Sequence, residues 1–134
     1  MSDVSNWDVI IVDDEPDNIG VVKLVLEFHN ATVRVAESGK ECLTLMKQQM
    51  PSLLLMDIQM PEMSGYDLLD HIRANTDWKH IPIIAVTAFA MTEDWRQIIG
   101  AGFDGHIPKP LNVGTLIDEI QEILEKRRSR TKHG

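Results

Sequence analysis

Val9-Ile10-Ile11-Val12-Asp13-Asp14-Glu15-Pro16 passes from a wholly apolar run to a wholly acidic one and then to proline. Four consecutive apolar residues suit a strand buried on both faces, because a half-exposed strand alternates in and out. Pro16 suits the first turn of a helix, where its missing N–H is no loss. The three acidic residues therefore stand in a short passage from strand to helix. Leu53-Leu54-Leu55-Met56 and Ile83-Ile84-Ala85-Val86 repeat the same apolar form. Thr32 to Ala36 is a weaker strand, β-branched at Thr32, Val33 and Val35. Gly105-His106-Ile107 is the weakest, and Pro108 limits it.

Segments of helical period lie between these runs. One starts at Pro16 and carries Ile19, Val22 and Leu26 on one face. A second follows Ser38-Gly39 with Leu43, Met46 and Met50, and a third follows Ser64-Gly65 with Leu68, Leu69 and Ile72. A fourth carries Trp95, Ile98 and Ile99 before Gly100 and Gly102 end it. The last runs from about Val113 through Leu116, Ile120, Ile123 and Leu124. Five strands alternating with five helices imply an α/β doubly wound fold, a parallel sheet covered on both faces. Ligands of such sheets bind beyond the carboxyl ends of the strands.

Composition narrows the function. The chain has 134 residues, 43% hydrophobic and 25% charged, which suits one globular domain. Its net charge of −8 opposes attraction to nucleic acid or an anionic membrane surface. Trp7, Trp78 and Trp95 form no base-stacking platform with basic neighbours of the kind a single-strand binder has. No run approaches the roughly 20 apolar residues of a membrane span, and Met1 to Ser5 lack the features of a signal peptide. A single cysteine, Cys42, excludes an internal disulfide. A cytoplasmic protein is expected. Five of the 13 basic residues, Lys126, Arg127, Arg128, Arg130 and Lys132, cluster at the C-terminus. They suit a solvated helix end beside the negative pole of its dipole. The expected division is an N-terminal extension over 1–7, one domain over 8–125 and a basic tail over 126–134.

The strand ends carry the chemistry. The first run meets Asp13-Asp14, the third Asp57, the fourth Thr87-Ala88, and the fifth Lys109-Pro110. In a parallel sheet these converge on one crevice. Crowded carboxylates either raise a pKa or recruit a cation, and an all-oxygen set suits Mg²⁺ or Mn²⁺. Asp57 can then act as a nucleophile forming an aspartyl phosphate. The metal and Lys109 would neutralise the transferring oxygens while the Thr87 hydroxyl donates to one of them. Ala88 leaves room beside the phosphoryl group. Taken singly, each residue has a plainer reading: a helix cap for Asp13-Asp14, a turn residue for Asp57, a strand end for Thr87, a solvated lysine for Lys109. Their joint occurrence at successive strand ends favours the chemical reading.

Asp13-Asp14, Met56-Asp57-Ile58-Gln59-Met60-Pro61, Gly65, Thr87-Ala88 and Lys109-Pro110 resemble the receiver domains of two-component response regulators, across about residues 8–125. The resemblance implies a flavodoxin-like (βα)5 three-layer sandwich of strand order 2-1-3-4-5, an order on record for a chemotaxis receiver. It implies Asp57 as phosphoacceptor, with Mg²⁺ (Mn²⁺ substituting) on Asp14, Asp57 and the Gln59 carbonyl, and on Asp13 through water. It implies that Lys109 pairs with the phosphoryl group, that the Lys109–Pro110 bond is cis, and that Thr87 swings toward the phosphate. His106 stands where receivers often have an aromatic switch residue. Histidine there can also make switching pH-sensitive, or lie at the surface without a role. Gln59 and Phe89 fall at positions that tune phosphoryl lifetime in the family.

The implied function is signalling, with no catalysis beyond the chain's own phosphorylation and dephosphorylation. A sensor histidine kinase or histidine phosphotransfer protein would supply the phosphoryl group. A downstream protein would read the face of the fourth helix, fifth strand and fifth helix, the receiver acting as a monomer or as a phosphorylation-dependent dimer. No output domain is expected within the 134 residues. A haloacid-dehalogenase-type phosphohydrolase usually places an Asp-x-Asp nucleophile after its first strand; here Asp57 follows the third, and Gln59 replaces the second Asp. A flavin or nucleotide carrier would need a glycine-rich loop where Asp13-Asp14-Glu15 stands. A pseudo-receiver would lack the acceptor set.

Overall fold

The computed structural model describes residues 4–60, 62–88 and 92–133, with side chains throughout except at 92–94 and 130–133. The three apolar runs and the two weaker segments form strands β1 (Asp8–Val12), β2 (Thr32–Ala36), β3 (Leu53–Asp57), β4 (Ile83–Thr87) and β5 (Gly105–Pro108). Between and after them come α1 (Pro16–Phe28), α2 (Gly39–Gln48), α3 (Gly65–Ala74), α4 (Thr92–Ala101) and α5 (Leu116–His133). All neighbouring strands are parallel, in the order β2-β1-β3-β4-β5. The (βα)5 flavodoxin-like architecture is therefore as expected.

Side-chain alternation divides the sheet into two apolar faces. Val9, Ile11, Leu55 and Ile84 meet Leu26, Ile117 and Ile120 of α1 and α5. Ile10, Val12, Leu54 and Ile83 meet Met46, Leu69 and Ile98 of α2, α3 and α4. Each such Leu or Ile, removed from water, contributes about 1.5–3 kcal/mol. The register aligns the strand ends. Val12 lies opposite Ala36 and Met56, Asp57 opposite Val86, and Thr87 opposite Pro108. One edge of the sheet thus collects the residues that follow every central strand.

Local chemistry sets the helix boundaries. Ser38 caps α2 by accepting from the Glu41 N–H at 3.1 Å. Ser64 and Asp67 form a reciprocal capping box at the start of α3. Three boundaries differ from the sequence-based expectation. α2 stops at Gln48 and leaves Met50 51% exposed, because the residue before Pro51 is disfavoured in helical conformation. α4 continues through Gly100 and ends at Gly102, whose φ of +119° is a left-handed value that glycine adopts without strain. α5 begins at Leu116 rather than Val113, since Asn112 Oδ1 accepts from the Gly114 N–H at 2.9 Å and holds a turn there.

At the opposite edge of the sheet Asp104 joins three elements. Its Oδ2 accepts from Arg73 at 3.0 Å and from the Ile83 N–H at 2.8 Å, and its Oδ1 accepts from Arg127 at 3.0 Å. Arg127 also donates to the His80 carbonyl, so this basic residue fastens α5 to the body of the domain. Val4 is buried, and its N–H donates to the His29 carbonyl at 3.1 Å. No described helix is long and apolar enough to cross a membrane.

Candidate functional site

The passage from β1 to α1 is a turn made by its own acid. Asp13 N–H donates to the Ala36 carbonyl at 3.0 Å, and Asp13 Oδ1 accepts from the Glu15 N–H at 2.9 Å. The exit from β3 follows the same rule: Asp57 Oδ1 accepts from the Gln59 N–H at 3.1 Å. Beyond it the Gly65 N–H returns to the Ile58 carbonyl at 2.8 Å. A Cβ on Gly65 would lie 2.7 Å from Ile58 Cα and 2.9 Å from the Asp57 carbonyl oxygen. Glycine is therefore what permits α3 to begin against the strand end that carries Asp57.

Lys109 enters from the far side of the crevice. Its N–H donates to the Thr87 carbonyl at 2.8 Å, and the Lys109–Pro110 peptide bond is cis. The ammonium lies 3.4 Å from Asp57 Oδ2, 3.5 Å from Glu15 Oε1 and 3.6 Å from Asp13 Oδ2. Asp13, Asp57 and Thr87 are buried, whereas Asp14 and Glu15 are exposed. One carboxylate oxygen from each of Asp13, Asp14, Glu15 and Asp57 lies within 4.8 Å of the other three.

Burial raises the Asp57 pKa from 3.8 to about 6, against the opposing pull of the Gln59 N–H and Lys109, and Asp13 pushes it further upward. For Lys109, burial is the largest single influence and acts against its charge. Asp57, Asp13 and Glu15 together outweigh it, so the pKa stands above its ordinary value. One ammonium thus faces three of the four clustered carboxylates, and every donor in the cluster is oxygen. This is the donor set of a hard divalent cation, and Mg²⁺ fits it.

Of the residues singled out in the sequence, Asp13, Asp14, Asp57 and Lys109 meet in this crevice. Gln59 contributes its backbone N–H, Thr87 its carbonyl and its buried position at the end of β4, and Ala88 lies exposed beside it. His106 lies elsewhere. It is half-buried on β5, with its ring edge-on to Trp95 of α4 at a centroid distance of 6.3 Å. Burial lowers its pKa from 6.5. Phe89 and Pro61 lie outside the described residues. Glu15 was not among the expected site residues, yet it reaches Lys109 and the carboxylate cluster. Its place directly after Asp13-Asp14 was the available signal.

The Response regulator receiver domain profile matches residues 9–121. An uncharacterised 14.6 kDa protein of Leptolyngbya boryana is 35% identical over 122 residues, covering 91% of this chain and 93% of its own. The polar-differentiation response regulator DivK of Brucella ovis is 37% identical over 116 residues, covering 87% of this chain and 94% of its own. The chemotaxis response regulator CheY4 of Vibrio cholerae superposes with a TM-score of 0.81 at 26% identity, over 86% of this chain and 96% of that structure. The receiver domain of a Pseudomonas aeruginosa sensor histidine kinase, solved with a magnesium ion coordinated in its active-site cleft, gives 0.79 at 27% identity, over 89% and 98%.

Proposed function

This chain belongs to the response regulator receiver family, and on that premise we propose that Asp57 accepts a phosphoryl group from a phosphohistidine on a sensor histidine kinase or phosphotransfer protein. Receiver domains are signalling modules rather than conventional enzymes, and they bind Mg²⁺ at an acidic crevice of this kind. The observation that carries the reading is the lysine ammonium held within 3.4–3.6 Å of Asp57, Asp13 and Glu15 at the meeting of three strand ends.

In the step itself an Asp57 carboxylate oxygen forms a bond to phosphorus as the N–P bond breaks in a phosphohistidine protonated on its other ring nitrogen, so the ring keeps that proton and leaves as neutral imidazole. Lys109 lies where its ammonium can follow the charge from the carboxylate to a phosphoryl oxygen. The Thr87 hydroxyl donates to another. Asp14, Asp57 and the Gln59 carbonyl would hold Mg²⁺, with Asp13 acting through water, and Mn²⁺ would substitute. When bound, the metal supplies charge neutralisation between the carboxylates and the incoming phosphoryl oxygens. Gln59 and Ala88 border the group, Gln59, Ala88 and Phe89 tune its lifetime, and His106 occupies the switch position.

Phosphorylation shifts a pre-existing equilibrium at the face of α4, β5 and α5, which a downstream protein reads. The receiver unit is read as 8–125, with a short extension over 1–7 and a basic tail over 126–134 that Val4 and Arg127 tie back onto it; it works in the cytoplasm. The test is an amide NMR titration with Mg²⁺ and beryllofluoride, which mimics the phosphoryl group. Shifts around Asp57 that extend to α4, β5 and α5 are expected. Shifts confined to the crevice would refute the signalling face, and no response at all would refute the acceptor site.

A further inference from the structure

A second concavity, separate from the acidic crevice, lies between α4, β5 and α5 and encloses about 380 Å³. Trp95 (45% exposed), Ile99 and Ile123 give it an apolar wall. Three carboxylates, Asp104, Glu119 and Glu122, line the remainder. Two of them are engaged. Asp104 pairs with Arg73 and Arg127, each at 3.0 Å, and Glu122 with Lys126 at 3.0 Å.

Glu119 differs. Its Oε2 is buried and has no hydrogen-bond partner among the described residues. A carboxylate oxygen removed from water without a donor is costly, so a cation that reaches it gains more than it would at an exposed acid. The titratable groups facing it do not supply that cation. His106 is held toward its neutral form by burial and turns its ring to Trp95. Lys126 extends to Glu122 and is 71% exposed. The net charge of −8 further favours a basic partner over an acidic one.

We propose that this groove receives a cationic side chain, an arginine or lysine flanked by apolar residues, from the protein that docks on the α4–β5–α5 face. The proposal rests on the reading of that face as the signalling surface and adds the chemistry of what it recognises. Docking turns the Glu119 carboxylate toward the groove, where a guanidinium donates to it, lies flat against the Trp95 indole and covers Ile99 and Ile123 with its aliphatic stem. A phosphate or an acidic peptide would meet the Glu119 and Glu122 carboxylates and be repelled.

The test uses the full chain, isotope-labelled, with and without Mg²⁺ and beryllofluoride. The probes are acetyl-leucyl-arginyl-leucine amide and its citrulline analogue, which keeps the shape and loses the charge. The arginine peptide is expected to shift the Gly105 and Ile123 amides and the Trp95 indole N–H saturably. The citrulline peptide on wild type, and the arginine peptide on Glu119→Gln, are each expected to bind about tenfold or more weakly, the usual scale of a charged hydrogen bond. Equal binding of the two peptides, unchanged binding to Glu119→Gln, or no shift at the groove in either state overturns the proposal. The beryllofluoride response of the same samples separates the two levels. If beryllofluoride perturbs the crevice and the face while the peptides are not discriminated, only the groove proposal fails. If beryllofluoride binds nowhere, the acceptor-site reading fails.

Discussion

Replacing Asp57 with asparagine should stabilise the metal-free protein at neutral pH. Burial raises this carboxyl from 3.8 to about 6, so the folded state holds a proton that the unfolded chain has already released. At roughly 1.4 kcal/mol per pH unit, the ionised form costs the fold up to about 3 kcal/mol. The sign follows from the order of the two values. The favourable contribution of the proton is complete below 3.8 and is lost as pH rises through about 6. Asparagine keeps an oxygen to accept the Gln59 N–H and removes the charge facing Asp13, while Lys109 retains Asp13 and Glu15. The value of about 6 already includes the attraction to Lys109, so the expected gain is about 1–3 kcal/mol with that ceiling as its upper end. Urea denaturation in EDTA from pH 4.5 to 8, wild type beside Asp57→Asn, measures it. The difference should grow with pH and level off above about pH 7, and saturating Mg²⁺ should shrink it by neutralising the carboxylate. A variant less stable than wild type at pH 7.5 in EDTA, or a gain independent of pH, would refute the reasoning.

Gly65→Ala should destabilise the fold by about 1–3 kcal/mol and weaken Mg²⁺ binding, because its Cβ would press on the Ile58 and Asp57 backbone; thermal melts with and without Mg²⁺ read both effects. His106 should titrate with an NMR midpoint below 6.5, since burial favours its neutral form. Its contribution to stability is present above 6.5 and lost as pH falls through the folded value, and His106→Phe should remove that part of the acid-side slope. The Cys42 thiol, fully buried and pushed up to about 12 by burial, should resist a disulfide reagent at pH 8 in the native protein and react promptly in guanidinium.

The three central strands β1, β3 and β4 were legible because a doubly covered parallel sheet writes itself as short, unbroken apolar runs, and the residues that follow those runs point to the crevice. The edge strands β2 and β5, half-buried and broken by Arg34 and His106, carried a weaker signal. Asp13, Asp14, Asp57 and Lys109 converge because parallel register brings successive strand ends to one edge. The helix boundaries were less legible, since they turn on local effects such as Pro51 acting on Met50 and the Asn112 side chain holding a turn before α5. Glu15 was in plain view beside Asp14, but its reach to Lys109 depends on the turn that Asp13 makes. The groove around Glu119 left no sequence signal, because Trp95, His106 and Glu119 come from three elements that only tertiary packing assembles.

The central claim is that Asp57 is a phosphoacceptor, and intact-mass spectrometry after treatment with Mg²⁺ and acetyl phosphate tests it most directly. The account predicts a gain of about 80 Da in wild type that is absent from Asp57→Ala, requires Mg²⁺ and is reversed by hydroxylamine, as expected of a covalent acyl phosphate. An unmodified wild type, or an equal gain in Asp57→Ala, would contradict it.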